Sequence, residues 1–214
     1  MKTTPPLIRV QGSGLVSCSP DTVIVGIDLV TEHRDYEKAN ADASRKLELL
    51  RTALPKAELS AEELKTESFH VGVENDYHAG THTFRAYSVK HRLSLRLPFE
   101  PAHLGRVLAV VAASKAQAHL SLTFTVADPE AVKRRLLEEA VKNARSRAEI
   151  IARAAGQRLG PVHAIDYGHT EIFIGSEPHG MNMFCDAKAR PMDLKPADIE
   201  ASDTVLVTWE IEAS

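Results

Sequence analysis

The clearest pattern in the chain is an alternation of apolar and polar positions over residues 83–97. Tyr87, Val89, Leu93, Leu95 and Leu97 share one parity, with His91 among them, while Ser88, Lys90, Arg92, Ser94 and Arg96 share the other. A period of two predicts a strand with one face on a core and the other in water. The same alternation recurs over 22–30, where Val23, Val25, Ile27 and Leu29 coincide, and over 119–126, where Leu120, Leu122, Phe124 and Val126 coincide. It returns over 204–211 with Val205, Val207, Trp209 and Ile211. Residues 7–16 read as a strand with Gly12-Ser13-Gly14 at its middle; 65–74 and 161–167 complete the set, and 75–81 is a polar loop tip.

Between the strands the period changes to three and four. Ala39, Ala43, Leu47, Leu50 and Leu54 predict a helix over 36–54, with Asp35 as N-cap and Pro55 as the stop. Ser60 followed by Glu63 fits a capping box over one short turn. A second helix spans 101–115, with Leu104, Leu108 and Val111 inward. Asp128-Pro129-Glu130 opens a long third helix that ends at Gly156. Its inward stripe is Val132, Leu136, Ala140, Ala144, Ala148, Ile151 and Ala155. At 1.5 Å per residue a helix over about 128–155 is roughly 40 Å long. Its small side chains let it lie close to a sheet. The order ββαββαβαββ predicts an α+β fold of antiparallel or mixed sheets backed by three helices. Residues 170–203 are aperiodic, unusually long for a connection inside a compact domain.

Composition narrows the class. The chain has 214 residues, 43% hydrophobic and 26% charged, which suits a packed soluble domain. A net charge of −3 argues against a dedicated nucleic-acid binder. Two cysteines, Cys18 and Cys185, make no disulfide framework. No run approaches the roughly 18 apolar residues of a membrane span. The N-terminal residues have no apolar leader core, so the expected location is cytoplasmic.

Candidate chemistry is thin. Gly12-x-Gly14 lacks the third glycine of a dinucleotide fingerprint and precedes a strand, so it reads as a bulge or a close backbone approach. No phosphate-binding loop, nucleophile elbow or zinc-protease helix motif is present; no catalytic residue and no cofactor is expected. His70, His78, His82 and His91, with Glu74 or Asp76, fall on one hairpin and form a candidate metal or ligand site, although loop and core histidines are the commoner reading. His179, Met181, Met183 and Cys185 form a run of soft donors suited to Cu(I). Met and Phe in the same segment suit an adaptable contact instead, so Phe173, Met181, Met183 and Phe184 are interface candidates. Lys90, Arg92 and Arg96 form a basic stripe that would hold an anion or an acidic partner, or pair with glutamates on a neighbouring strand. Cys18 has no base beside it in sequence and reads as a buried or half-buried free thiol.

Several stretches together resemble one family. They are Ile8-Arg9-Val10-Gln11-Gly12-Ser13-Gly14 with Pro20-Asp21-Thr22, the helix over 39–54, and Phe84-Arg85-Ala86-Tyr87-Ser88. Leu122-Thr123-Phe124-Thr125-Val126-Ala127-Asp128-Pro129, and the alanine ladder from Ala140 through Ala155-Gly156 to Leu159-Gly160, complete the set. In that order they resemble the SIMPL-domain family, which includes bacterial periplasmic immunogenic proteins and animal proteins that bind a pelle-like kinase. The resemblance implies an α+β fold and a tendency to form homo-oligomers. It implies no agreed activity and no catalytic residues. The expectation is a single SIMPL-like domain over 1–214, acting as a non-enzymatic oligomeric assembly or interaction protein of unknown partner.

Overall fold

A computed structural model describes residues 6–78, 81–168, 174–175 and 195–213. Among the described residues, seven strands and three α-helices follow the expected order: β1 Leu7–Cys18, β2 Thr22–His33, α1 Tyr36–Ala53, β3 Lys65–His78, β4 Thr81–Pro98, α2 Pro101–Ala113, β5 His119–Thr125, α3 Pro129–Ala154, β6 Gln157–Asp166 and β7 Ile199–Ala213. All strand pairs are antiparallel, in a three-stranded sheet β1-β7-β6 and a four-stranded sheet β3-β4-β2-β5. The described residues gather into two compact units. The first holds 6–19, 126–168, 174–175 and 197–213; the second holds 20–78, 81–125 and 195–196.

In the first unit α3 lies against β1 and β7. A Cβ at Gly14 would collide with the Leu136 carbonyl, and one at Gly12 with the Ala140 carbonyl. The glycines are therefore sites of close helix–strand approach, and β1 runs through them without a register break. Ala140, Ala144 and Ala148 pack with Val10, Val205, Val207 and Trp209. Val132 and Leu136 pack with Val16, Val126, Ile174, Ile199 and Ala201. The buried line of α3 continues at Ala152; Ile151 and Ala155, expected inward, are exposed. Uniform four-residue steps follow a ridge inclined to the helix axis, so the contact drifts around the helix as it crosses the strands. Asp128 caps α3 by accepting from the Ala131 N–H at 2.9 Å, and Gly156, just beyond the helix, has φ +70°. β7 begins at Ile199, so the last five residues of the aperiodic stretch are strand, with Ile199, Ala201 and Asp203 turned inward. The buried Asp203 carboxylate accepts from the Tyr167 hydroxyl at 2.8 Å and from the Thr204 N–H at 2.7 Å.

In the second unit β2 is a central strand. Val23, Val25, Ile27 and Leu29 meet Leu93, Leu95 and Leu97 of β4, Leu120, Leu122 and Phe124 of β5, and Leu50 and Leu54 beneath them. Each such side chain contributes roughly 1.5–3 kcal/mol by leaving water. Leu104, Val107, Leu108 and Val111 of α2 close this core. Val126, expected on the β5 face, joins the core of the first unit, because β5 ends at Thr125. Asp35 caps α1 and the Ser60–Glu63 capping box closes on both sides, as the spacing predicts. Ala39 and Ala43 bring α1 against Val89 and Tyr87.

Candidate interaction surface

The two faces of the β3–β4 hairpin differ in chemistry. On one face, cations and carboxylates alternate across three strands. Arg92 of β4 sits opposite Asp28 of β2 and donates to both carboxylate oxygens, at 2.8 and 3.3 Å. Lys90 reaches Glu74 of β3 at 3.1 Å, and the same carboxylate accepts from the Ser88 hydroxyl at 2.9 Å. These hydrogen bonds, from Lys90 first, hold the Glu74 carboxyl below its ordinary value. Arg85 reaches Glu32 at 3.0 Å and Asp76 at 3.7 Å. The basic stripe thus stands among carboxylates of neighbouring strands, with Arg96 on the same face opposite Ile24.

The other face is apolar and only half covered. Over β2 and β4 it is roofed by helix. Toward the edge, β3 carries Phe69, Val71 and Val73 on this face, opposite His91, Val89 and Tyr87. Phe69 and Val73 stay 52% and 53% exposed. Three edge-to-face ring contacts extend the patch: Phe69 on His91 with centroids at 5.2 Å, Phe84 on Tyr87 at 5.1 Å, and Tyr36 on Tyr87 at 5.9 Å. Tyr77 packs on His82 at the hairpin end and is 64% exposed. Exposed apolar side chains that adjoin one another in this way mark an interaction surface more often than single ones do.

His91 lies at the border of the patch. Thr66 Oγ1 is 3.0 Å from its Nε2, and burial, with a smaller effect from Arg51, lowers its pKa below the ordinary imidazole value. It is a hydrogen-bonded core histidine. His70 and His82 sit on β3 and β4, the side chain of His78 lies outside the described residues, and Glu74 and Asp76 are engaged by Lys90 and Arg85. Among the described residues no three His, Cys, Asp or Glu side chains come together as a metal site. Phe173, His179, Met181, Met183, Phe184 and Cys185 lie outside the described residues. Cys18 is a partly exposed free thiol whose Sγ is 3.9 Å from the Ile199 carbonyl.

Sequence reasoning missed Phe69, Val71, Val73 and Phe84 as a surface. The alternation of β3 was legible, but nothing in the sequence shows that α1 stops over β4. Among the described residues no helix is long and apolar enough to cross a membrane.

Fold and surface together define a two-sheet α+β protein whose exposed chemistry is a charged sheet face backed by an apolar one. The model of the SIMPL family, described as a protein of unknown function (DUF541), matches residues 8–209, and the chain belongs to that family. It is 26% identical over 167 residues to the 26 kDa periplasmic immunogenic protein of Brucella melitensis biotype 1, across 76% of this chain and 66% of the relative. The Brucella abortus (strain S19) protein of the same name matches equally. The chain thus spans just under two thirds of the length of these relatives. It is also 22% identical over 211 residues to the uncharacterized protein YggE of Escherichia coli (strain K12), across 97% of this chain and 84% of the relative. These similarities overturn the expected cytoplasmic location: the relatives whose names state a compartment are periplasmic, and the first residues of the chain are a poor guide beside them.

Proposed function

We propose that this chain is a non-enzymatic, self-associating protein of the periplasm. Its contact surface is the β3 side of the β3–β4 hairpin, where the apolar row is half exposed. The observation that carries this reading is the half-exposed row Phe69, Val71 and Val73 with Phe84 and Tyr36 beside it. Leaving such a row in water forgoes stabilisation that a second apolar surface would supply. The periplasmic location rests on the similarity to the periplasmic immunogenic proteins of Brucella. On the opposite face Arg85, Lys90 and Arg92 pair with Glu32, Glu74 and Asp28 across the sheet.

Light scattering across a dilution series is the test. The unaltered chain is expected at a multiple of 23.4 kDa, and Phe69→Ser with Val73→Ser is expected at the single-chain mass with its circular dichroism unchanged. A single-chain mass for the unaltered protein at all concentrations overturns the reading. Met183→Ala with Phe184→Ala, in the same series, asks whether the Phe173–Phe184 candidates contribute a second contact.

A further inference from the structure

Among the described residues, four strands lie at sheet edges: β1 and β6 in one sheet, β3 and β5 in the other. Three of them are blunted against pairing. The Ser13 N–H of β1 donates to Asn143 Oδ1 at 3.1 Å, and Arg147 donates to the Gln11 carbonyl at 3.1 Å, so side chains of α3 occupy that edge. β6 contains Pro161 and two register irregularities. β5 has only seven residues. β3 has fourteen residues, no proline, and a single cation, Lys65, at its first position. Two register shifts and three carboxylates interrupt it, but it is the longest of the four edges, and a regular stretch of edge is a template for another strand. Its regular stretch, Ser68–Glu74, lies between two register shifts and has Val71 at its centre.

We infer that two copies of the chain pair antiparallel through their β3 edges, about a two-fold axis at Val71. The inference rests on the self-association reading and names the partner as a second copy. Because the side-chain period is two, only an axis centred on a residue keeps the apolar face on one side in both copies. With the axis at Val71, Phe69 faces the partner's Val73, an aromatic against a β-branched side chain. Ser68 faces the partner's Glu74, so no like charges meet within the regular stretch. His70 faces the partner's Gly72, where a ring covers the missing side chain. An axis one residue earlier sets Glu67 against the partner's Val73 and imidazole on imidazole. One residue later it sets Phe69 against the partner's Asn75.

Cysteine cross-linking tests the register. In a background with Cys18→Ser and Cys185→Ser, Val71→Cys is oxidised with copper phenanthroline and run on a non-reducing gel. The expected result is a shift of the bulk of the chain from 23.4 kDa to twice that, reversed by reductant, while Phe69→Cys alone stays at the single-chain position. Should the reduced Val71→Cys protein lose its multimeric mass, Phe69→Cys combined with Val73→Cys in one chain reports the same register. Those two thiols lie roughly 13 Å apart along one strand, so only a partner can bridge them. Absence of cross-linking in both variants, with the background protein still multimeric, overturns the β3 pairing and leaves self-association standing. A monomeric background protein overturns both.

Discussion

Gly14 and Gly105 carry the same side chain for opposite reasons. Gly14 faces the backbone of α3, where a Cβ would occupy the space of the Leu136 carbonyl. Neither partner is the free end of a side chain, so relief requires the helix to move off the strand. Gly105 lies in α2 with open space where a Cβ would stand, and a helix-interior glycine loses backbone entropy that alanine does not. Gly14→Ala is expected to cost about 3 kcal/mol or more, and Gly105→Ala to stabilise by about 0.5–1 kcal/mol. Urea denaturation of the two variants beside the unaltered protein measures both. A near-neutral Gly14→Ala would mean that α3 does not sit as close to β1 as its alanines allow.

At the scale of elements, β3 is held to β4 by few buried side chains, and His91 is one of them. Its ring accepts or donates to Thr66 and supports Phe69, both on β3. Burial lowers its folded pKa below the ordinary value near 6.5. Above that value both folded and unfolded chains are neutral at this position. As pH falls below it the unfolded chain gains the proton first, so stability falls with acid until the folded pKa is passed. Denaturation midpoints at pH 7.5 and 5 are expected to separate more for the unaltered chain than for His91→Gln. Equal separation in both would remove His91 from the acid response. The same strand shows how far a sequence can be read. Element order, the caps at Asp35, Ser60 and Asp128, and the inward residues of β2 and β4 were legible, because each follows from local period or spacing. The shift from Ile151 to Ala152 in α3 was not, because it depends on the angle at which the helix crosses the strands. Nor was the exposed row on β3, because alternation reveals a face and not what covers it. The charged face was partly legible: Lys90 and Arg92 stood out as a stripe, but Glu74 and Asp28 meet them only through strand register.

At the scale of the whole molecule, self-association couples folding to concentration. A copy that binds only the folded hairpin stabilises it by mass action, so the melting temperature must rise with protein concentration. A hundredfold increase is worth about 2.8 kcal/mol per dimer, or half that per chain. For a chain of this size that corresponds to a rise of about 3–6 °C. Phe69→Ser with Val73→Ser removes two of the exposed apolar side chains while leaving the core beneath α1 and α2 intact. Its melting temperature is expected to be the same at every concentration, and close to that of the unaltered chain at the lowest. Differential scanning calorimetry over the hundredfold range separates the cases. A flat profile for the unaltered chain would show that it melts as a monomer, and the apolar row on β3 would then lose its assignment as a contact between copies. A slope retained by the double variant would move the contact elsewhere, first to the residues of the 170–203 stretch with Met and Phe side chains.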